Sequence, residues 1–259
     1  MANEVLLEVQ GHVALITMNR PQVHNAVDPA MAQGLRDAFL RLRDDPDLRV
    51  GVLTGAGERA FTAGADLKVM AGRTPSDLLQ EFFQRPPGGR YVDLYKPVVA
   101  AVNGYCYAEG LNLLTGLTDI RIASERATFC YAEVLRGFSG MGEAIQWLPR
   151  QVPYAVAMDW LLTGRVFDAQ EALRYGLVSA VAPPDQVKQR ALEVAHHLAG
   201  LAPLALRTLK EAVLRGLSLD VPNAIKLTNA LGTLNRFTED AQEGPRAFAE
   251  KRPPRYRGR

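Results

Sequence analysis

Two clusters in this 259-residue chain have the residue types and spacing to do chemistry. The first is Phe61-Thr62-Ala63-Gly64-Ala65-Asp66-Leu67-Lys68, and the second is Val102-Asn103-Gly104-Tyr105 followed by Ala108-Glu109-Gly110. Each lies where an apolar, β-rich run gives way to a helical pattern, so each presents backbone N–H groups at a helix N-terminus. Two such turns side by side would hold a developing oxyanion. Glycine at position 64 permits the backbone conformation and close approach that such a turn requires. Taken alone, Gly64 marks no more than a tight turn before a helix.

Other chemistry finds little support. Gly55-Ala56-Gly57-Glu58-Arg59-Ala60 fits a loose dinucleotide fingerprint, but the chain continues into another turn where a long helix would have to start. His12, His24, His196 and His197 lack metal-ligand spacing, and the adjacent His196 and His197 face different directions on a helix. Gly137-Phe138-Ser139-Gly140-Met141 is not a nucleophile elbow. Cys106 and Cys130 lack the C-x-x-C spacing of zinc or redox sites and are expected as reduced, partly buried thiols. No metal, nicotinamide or serine nucleophile is expected.

The elements that must position the two turns follow from the hydrophobic patterning. Strands are expected over 5–9, 12–18 and 49–54, with a helix over 29–43 capped by Asp28. A second strand–helix–strand crossover follows: an apolar run over 98–102, a helix over about 109–116 and a strand over 119–123. Such crossovers imply right-handed parallel connections with ligands at the strand C-terminal ends, where both turns lie. From Met141 onward the pattern is helix after helix, interrupted by one strand over 177–181. The segment from Arg73 to Tyr95, with Pro86-Pro87-Gly88-Gly89, is the least regular and is expected to cover the site.

An apolar content of 47% and a formal net charge of +2 describe an ordinary enzyme-sized chain with one large core or a core and an appendage. The only basic concentration is the tail bearing Lys251, Arg252, Arg255, Arg257 and Arg259, and no aromatic-basic stripe supports nucleic-acid binding. No apolar run approaches membrane-spanning length and the N-terminus carries no leader pattern, so a cytoplasmic protein without membrane or nucleic-acid partners is expected.

Further motifs occur in a telling order: Asn19-Arg20-Pro21, Asn25-Ala26-Val27, the 61–67 cluster, Lys96-Pro97-Val98, Asn103-Gly104, Asp119-Ile120-Arg121-Ile122-Ala123, Ala132-Glu133, Leu162-Thr163-Gly164 and Tyr175-Gly176-Leu177-Val178. In order and spacing the chain resembles the crotonase superfamily, the enoyl-CoA hydratase/isomerase family, over nearly its whole length. The resemblance implies an α/β fold, a crotonase-like spiral of ββα units with a C-terminal helical region. Residues 1–200 would form the core with the acyl-CoA site, and 201–259 a helical trimerisation region. It also implies a homotrimer or dimer of trimers, and an acyl-CoA thioester as substrate with no separate cofactor.

By family position, the backbone N–H groups of Ala65 and Glu109 would hold the enolate oxygen of the thioester, and Glu133 would be the general acid/base. Hydratases of this family carry a second glutamate where this chain has Asn112, which can orient a water but cannot take its proton. The resemblance therefore implies an enoyl-CoA hydratase working with a single catalytic glutamate, with a Δ3,Δ2-enoyl-CoA isomerase as rival and a non-catalytic acyl-CoA binding protein as the reading of another class. Glu109 shares a helix face with Asn112, but a carboxylate in the pocket would oppose the enolate charge, so it is expected to point outward and complement the helix dipole. CoA is expected along Val23, Asn25, Ala63, Gly64, Ala65, Asp66 and Leu67, with Lys68 near a phosphate and Phe248 and Lys251 reaching a neighbouring subunit's CoA. The pocket wall is expected from residues 70–95 and from Phe138, Met141 and Trp147.

Overall fold

A computed structural model describes residues 4–74, 76–77 and 92–259. Among them the chain builds two sheets. The larger has strand order β1-β2-β3-β5-β7-β10, from β1 (Val5–Gln10), β2 (Val13–Met18), β3 (Val50–Gly55), β5 (Val98–Val102), β7 (Ile120–Ser124) and β10 (Ala180–Ala182). Only the β1–β2 hairpin is antiparallel; β2, β3, β5, β7 and β10 pair in parallel, as the crossovers require.

The central strands read as continuous apolar runs because both faces are covered. On one face Ile16, Leu53, Ala100 and Val102 pack with Met31, Leu35 and Phe39 of helix α1 (Pro29–Asp44). On the other, Val13, Val52, Val99 and Ile122 meet Ala191, Leu192 and Ala195 of a later helix, Val187–Ala199. Asp28 caps α1 as expected, accepting the Met31 N–H at 2.9 Å. At the other end of α1 the buried Lys96 ammonium donates to the carbonyls of Leu42 (2.8 Å) and Asp45 (2.6 Å), favourable at the negative end of a helix dipole.

The smaller sheet, in the order β4-β6-β8-β9, consists of β4 (Ala60–Thr62), β6 (Tyr105–Tyr107), β8 (Thr128–Cys130) and β9 (Phe167–Asp168). Strands of two or three residues leave no alternation to read, so this sheet is not evident from the sequence. It nevertheless delivers both candidate turns: β4 leads into α2 (Leu67–Met70), and β6 into α3 (Glu109–Leu117). β4 and β6 pair in parallel, so the two turns emerge together at one end of the sheet. Cys106 and Cys130 are free thiols, and both are buried rather than partly buried.

Further helices among the described residues are α4 (Ala144–Gln151), α5 (Tyr154–Thr163), α6 (Ala169–Arg174), α7 (Val187–Ala199), α8 (Pro203–Gly216), α9 (Val221–Asn235) and α10 (Glu239–Ala249). The strand expected at 177–181 forms only from Ala180, where pairing with β7 begins; Leu177 and Val178 are buried in the core ahead of it. Arg121, enclosed on β7, donates to Thr118 Oγ1 and O, Gln151 Oε1 and Leu177 O, tying the end of α3 to α4. Its burial pushes its pKa down to about 10. No helix among the described residues is long and apolar enough to cross a membrane.

Candidate active site

The turn after β4 is fixed by its own hydrogen bonds. The N–H of Ala63 donates to His24 O (2.9 Å), that of Gly64 to Thr62 Oγ1 (3.1 Å), and that of Asp66 to Val27 O (2.9 Å). Val27 in turn donates to Gly64 O at 2.8 Å, which makes a parallel bridge between Val27 and Ala65. Successive groups of an extended segment point to opposite sides, so the Ala65 N–H is directed away from Val27, and it has no backbone acceptor among the described residues. Ala65 lines a cavity of about 840 Å³.

The turn after β6 faces the same cavity. Ala108 adopts φ 49°, ψ −112° and serves as N-cap of α3, its own N–H donating to Cys130 O at 2.9 Å. A non-glycine residue at such an angle costs about 1–3 kcal/mol. The strained turn swings the chain from β6 into α3 so that Glu109 begins the helix, where N–H groups have no partner within the helix itself. Gly64 permits the approach of the two turns: at φ +96°, a Cβ on it would lie 2.7 Å from Ala108 Cβ and 3.4 Å from the Glu109 nitrogen.

Glu133 lines the same cavity, 6% exposed, directly before a short 3-10 turn over Val134–Arg136. Its Oε2 is enclosed and has no hydrogen-bond partner among the described residues. Burial pushes its carboxyl up to about 7, against the pull of its own backbone N–H and with the charge of Glu109 adding to the rise. A carboxyl in that range can both give and take a proton near neutrality. The loop that follows is closed over it by the Tyr131 hydroxyl, which donates to Ser139 O at 2.8 Å. A Cβ on Gly140 (φ +75°) would come within 2.9 Å of Glu133 Cγ.

The expected outward orientation of Glu109 does not hold. Glu109 lines the cavity with Glu133, and its Oε2 accepts the Asn112 Nδ2–H at 2.8 Å. Asn112, expected to orient a water, is not on the cavity wall. It is 2% exposed and accepts the Ala144 N–H on Oδ1 at 2.9 Å. The reason is the helical spacing: three residues apart on α3, the two side chains share a face, and the buried amide prefers a fixed acceptor to the helix exterior.

The expected CoA groove is partly assembled. Val23, Ala63, Ala65, Asp66, Leu67 and Lys68 line the cavity, whereas Asn25 lies beneath it, fully buried, and spends its side chain on Ala56 O, Ala60 O and the Arg20 N–H. Gly64 acts behind the wall, through the contact with Ala108. Phe248 on α10 and Lys251 just after it are exposed and outside this chain's cavity. Phe138 and Met141 line the cavity as expected, and so do Met70 and Arg73; Trp147 instead lines a separate 360 Å³ cavity between α3, α4 and α8. Residues 75 and 78–91, including Pro86-Pro87-Gly88-Gly89, lie outside the described residues.

Two supporting parts were not foreseen. Arg20 donates to Ala26 O (2.6 Å) and contacts the carboxylates of Asp28 (3.2 Å) and Asp66 (3.3 Å), joining three pieces of the groove. Ala26 and Asp28 lie within eight residues of it, but Asp66 is 46 residues away, so the fold is needed to reveal the whole cluster. The Tyr131–Ser139 tie had a readable trace in the Gly137, Gly140 and Gly142 series, all at positive φ. Among the described residues no group of three or more His, Cys, Asp or Glu could hold a metal ion.

Comparison with known proteins agrees with this geometry. A family profile described as Enoyl-CoA hydratase/isomerase matches residues 8–259. The chain is 41% identical to (E)-benzylidenesuccinyl-CoA hydratase from Thauera aromatica, covering 98% of this chain and 99% of that one. It is 38% identical to carnitinyl-CoA dehydratase from Proteus mirabilis over 100% of both chains. The crystal structure of an enoyl-CoA hydratase from Bacillus anthracis superposes with a TM-score of 0.92 at 32% identity, over 99% of this chain and 100% of that one.

Proposed function

The chain belongs to the enoyl-CoA hydratase/isomerase family, and from that premise we propose that it is an enoyl-CoA hydratase acting on an acyl-CoA thioester. The observation that carries the reading is the convergence of the Ala65 N–H, the first turn of α3 at Glu109 and the carboxyl of Glu133 on one cavity. Hydration places negative charge on the thioester oxygen as an enolate forms. The backbone N–H groups of Ala65 and Glu109 supply the oxyanion hole, and each such donor is worth about 2.7–4 kcal/mol of barrier. Glu133, protonated, gives its proton to the α-carbon. The attacking water bonds to C3 and gives up a proton, so the reaction needs a second basic group in the cavity besides Glu133.

The thioester arm is assigned to the groove of Val23, Ala63 and Leu67, with Lys68 toward the CoA phosphates. Arg73 and Arg136 add positive charge to the same wall. A homotrimer or dimer of trimers fits the exposed apolar residues of α8 and α9, among them Leu209, Val213, Ile225 and Leu234. Light scattering tests that assembly.

The activity is tested with crotonyl-CoA, following loss of the conjugated thioester absorbance. Turnover that disappears in Glu133→Gln supports the reading. A wild type that instead converts only a 3-enoyl-CoA to its conjugated isomer would make the protein an isomerase, and acyl-CoA binding without turnover would make it a binding protein.

A further inference from the structure

Asn112 is held from both sides. Its Oδ1 accepts the N–H of Ala144, the first residue of α4, at 2.9 Å. An N–H can be donated only to the oxygen end of an amide, so this bond fixes which way the group faces. The backbone of Gly142, at φ +150°, lies flat against it: a Cβ there would stand 2.7–2.8 Å from all three outer atoms of the amide. The donor end is thereby aimed at Glu109, whose Oε2 it meets at 2.8 Å. Asparagine is the residue that fits, since it presents an acceptor to Ala144 and a donor to Glu109 from one short side chain. A carboxylate has room for about four acceptor contacts on its two oxygens, so the bond at Oε2 is compatible with a water held by the same group.

The geometry points to Glu109 as a second catalytic carboxylate, the base that takes the proton of the attacking water, with Asn112 as the residue that positions it. This rests on the hydratase reading above. In the step, an O–H bond of water breaks and its proton passes to Glu109. The water oxygen bonds to C3, and the C2=C3 π pair moves toward C1, placing the charge on the thioester oxygen between the Ala65 and Glu109 N–H groups. Protonated Glu133 then delivers its proton to C2, and the thioester carbonyl re-forms. The elements of water have added across C2=C3, leaving Glu109 protonated and Glu133 ionised, and one proton exchanged through solvent resets the pair.

The like-charge objection to a carboxylate beside an oxyanion is met by timing. Glu109 becomes neutral in the step that creates the enolate charge, so repulsion present before the transition state is relieved within it, as differential stabilisation requires. The separate roles also match the setting of Glu133, whose carboxyl is raised into the range of a proton donor, in part by Glu109 itself.

The test compares two reactions of each variant: hydration of crotonyl-CoA, and exchange of the α-proton of butyryl-CoA in deuterated water, which needs Glu133 and the two N–H groups but no second base. In Glu109→Gln the hydration kcat is expected to fall roughly 10²–10⁴-fold, with far smaller loss of exchange. In Asn112→Ala hydration kcat falls with KM within a few-fold, and Asn112→Asp does not restore it. Hydration at the wild-type kcat in Glu109→Gln overturns the proposal. So does loss of hydration and exchange in equal proportion, which would mean damage to the turn rather than loss of a base. If the wild type exchanges the α-proton but hydrates no enoyl-CoA, the hydratase reading itself fails, and the assignment of Glu109 fails with it.

Discussion

Gly64 and Ala108 stand opposite one another where the two turns meet, so close that a single added methyl on Gly64 would overlap the Ala108 side chain at 2.7 Å and press on Tyr107 O at 3.0 Å. Gly64→Ala should therefore push the turns apart and carry the Ala65 N–H out of line. The expected loss in kcat/KM is roughly 10²–10³-fold, with a thermal midpoint lowered by the strain of alanine at φ +96°. Wild-type kinetics and melting in this variant would refute the arrangement.

Ala108→Gly tests the same contact from the other side. Glycine accepts φ 49° without strain, so removing the methyl should raise stability by about 1 kcal/mol after allowing for the greater freedom of the unfolded chain. Combined with Gly64→Ala, it should recover only part of the loss, because the contact with Tyr107 O and the positive φ of residue 64 persist. A double-mutant cycle by chemical denaturation measures the coupling; strict additivity would mean that the two residues do not interact.

The raised carboxyl of Glu133 has two pH consequences. Hydration uses its protonated form, so kcat/KM for an enoyl-CoA should decline about tenfold per pH unit above about 7, and kcat/KM for dehydration of the 3-hydroxyacyl-CoA should decline in parallel, because the equilibrium between the two involves no net proton. The native state also binds this proton more tightly than the unfolded chain, whose value is 4.5. Its contribution to stability is complete below pH 4.5 and is lost as pH rises through about 7. Glu133→Gln should then be more stable than wild type at pH 8, by an amount of order 2 kcal/mol, and of similar stability at pH 4. Equal denaturation midpoints at both pH values would contradict the buried setting.

Asn25 should behave as scaffold. Asn25→Ala strips partners from the Arg20 N–H and Ala56 O while leaving Ala60 O its bond from Asn103, and it places alanine at φ 55°. The cost is expected near ~3 kcal/mol, or about 10 °C in melting temperature for a chain of this size. Calorimetry showing a change under a degree would sink this reading.

How far the sequence carries depends on the length of each pattern. The strand at 98–102 and the helix capped by Asp28 are long enough for their periodicity to declare them, and they appear within a residue or so of their expected ends. The two- and three-residue strands of the second sheet have no period, although they bring the turns together. Within the site, Ala65 and Glu133 could be located by their motifs. The inward turn of Glu109 could not, because it depends on Asn112 being held by Ala144, a contact spanning 32 residues that no local pattern encodes.

The 2.8 Å bond from Asn112 to Glu109 also constrains how this chain can vary. An acid introduced at 112 would meet the acid at 109 at contact distance, a repulsion of several kcal/mol at an effective dielectric of about 20. Removing the acid at 109 first would leave Glu133 without the second carboxylate assigned to the water. Either order of single changes passes through an impaired intermediate, so this arrangement and one with its glutamate at 112 are separated by a fitness valley that only paired substitution crosses.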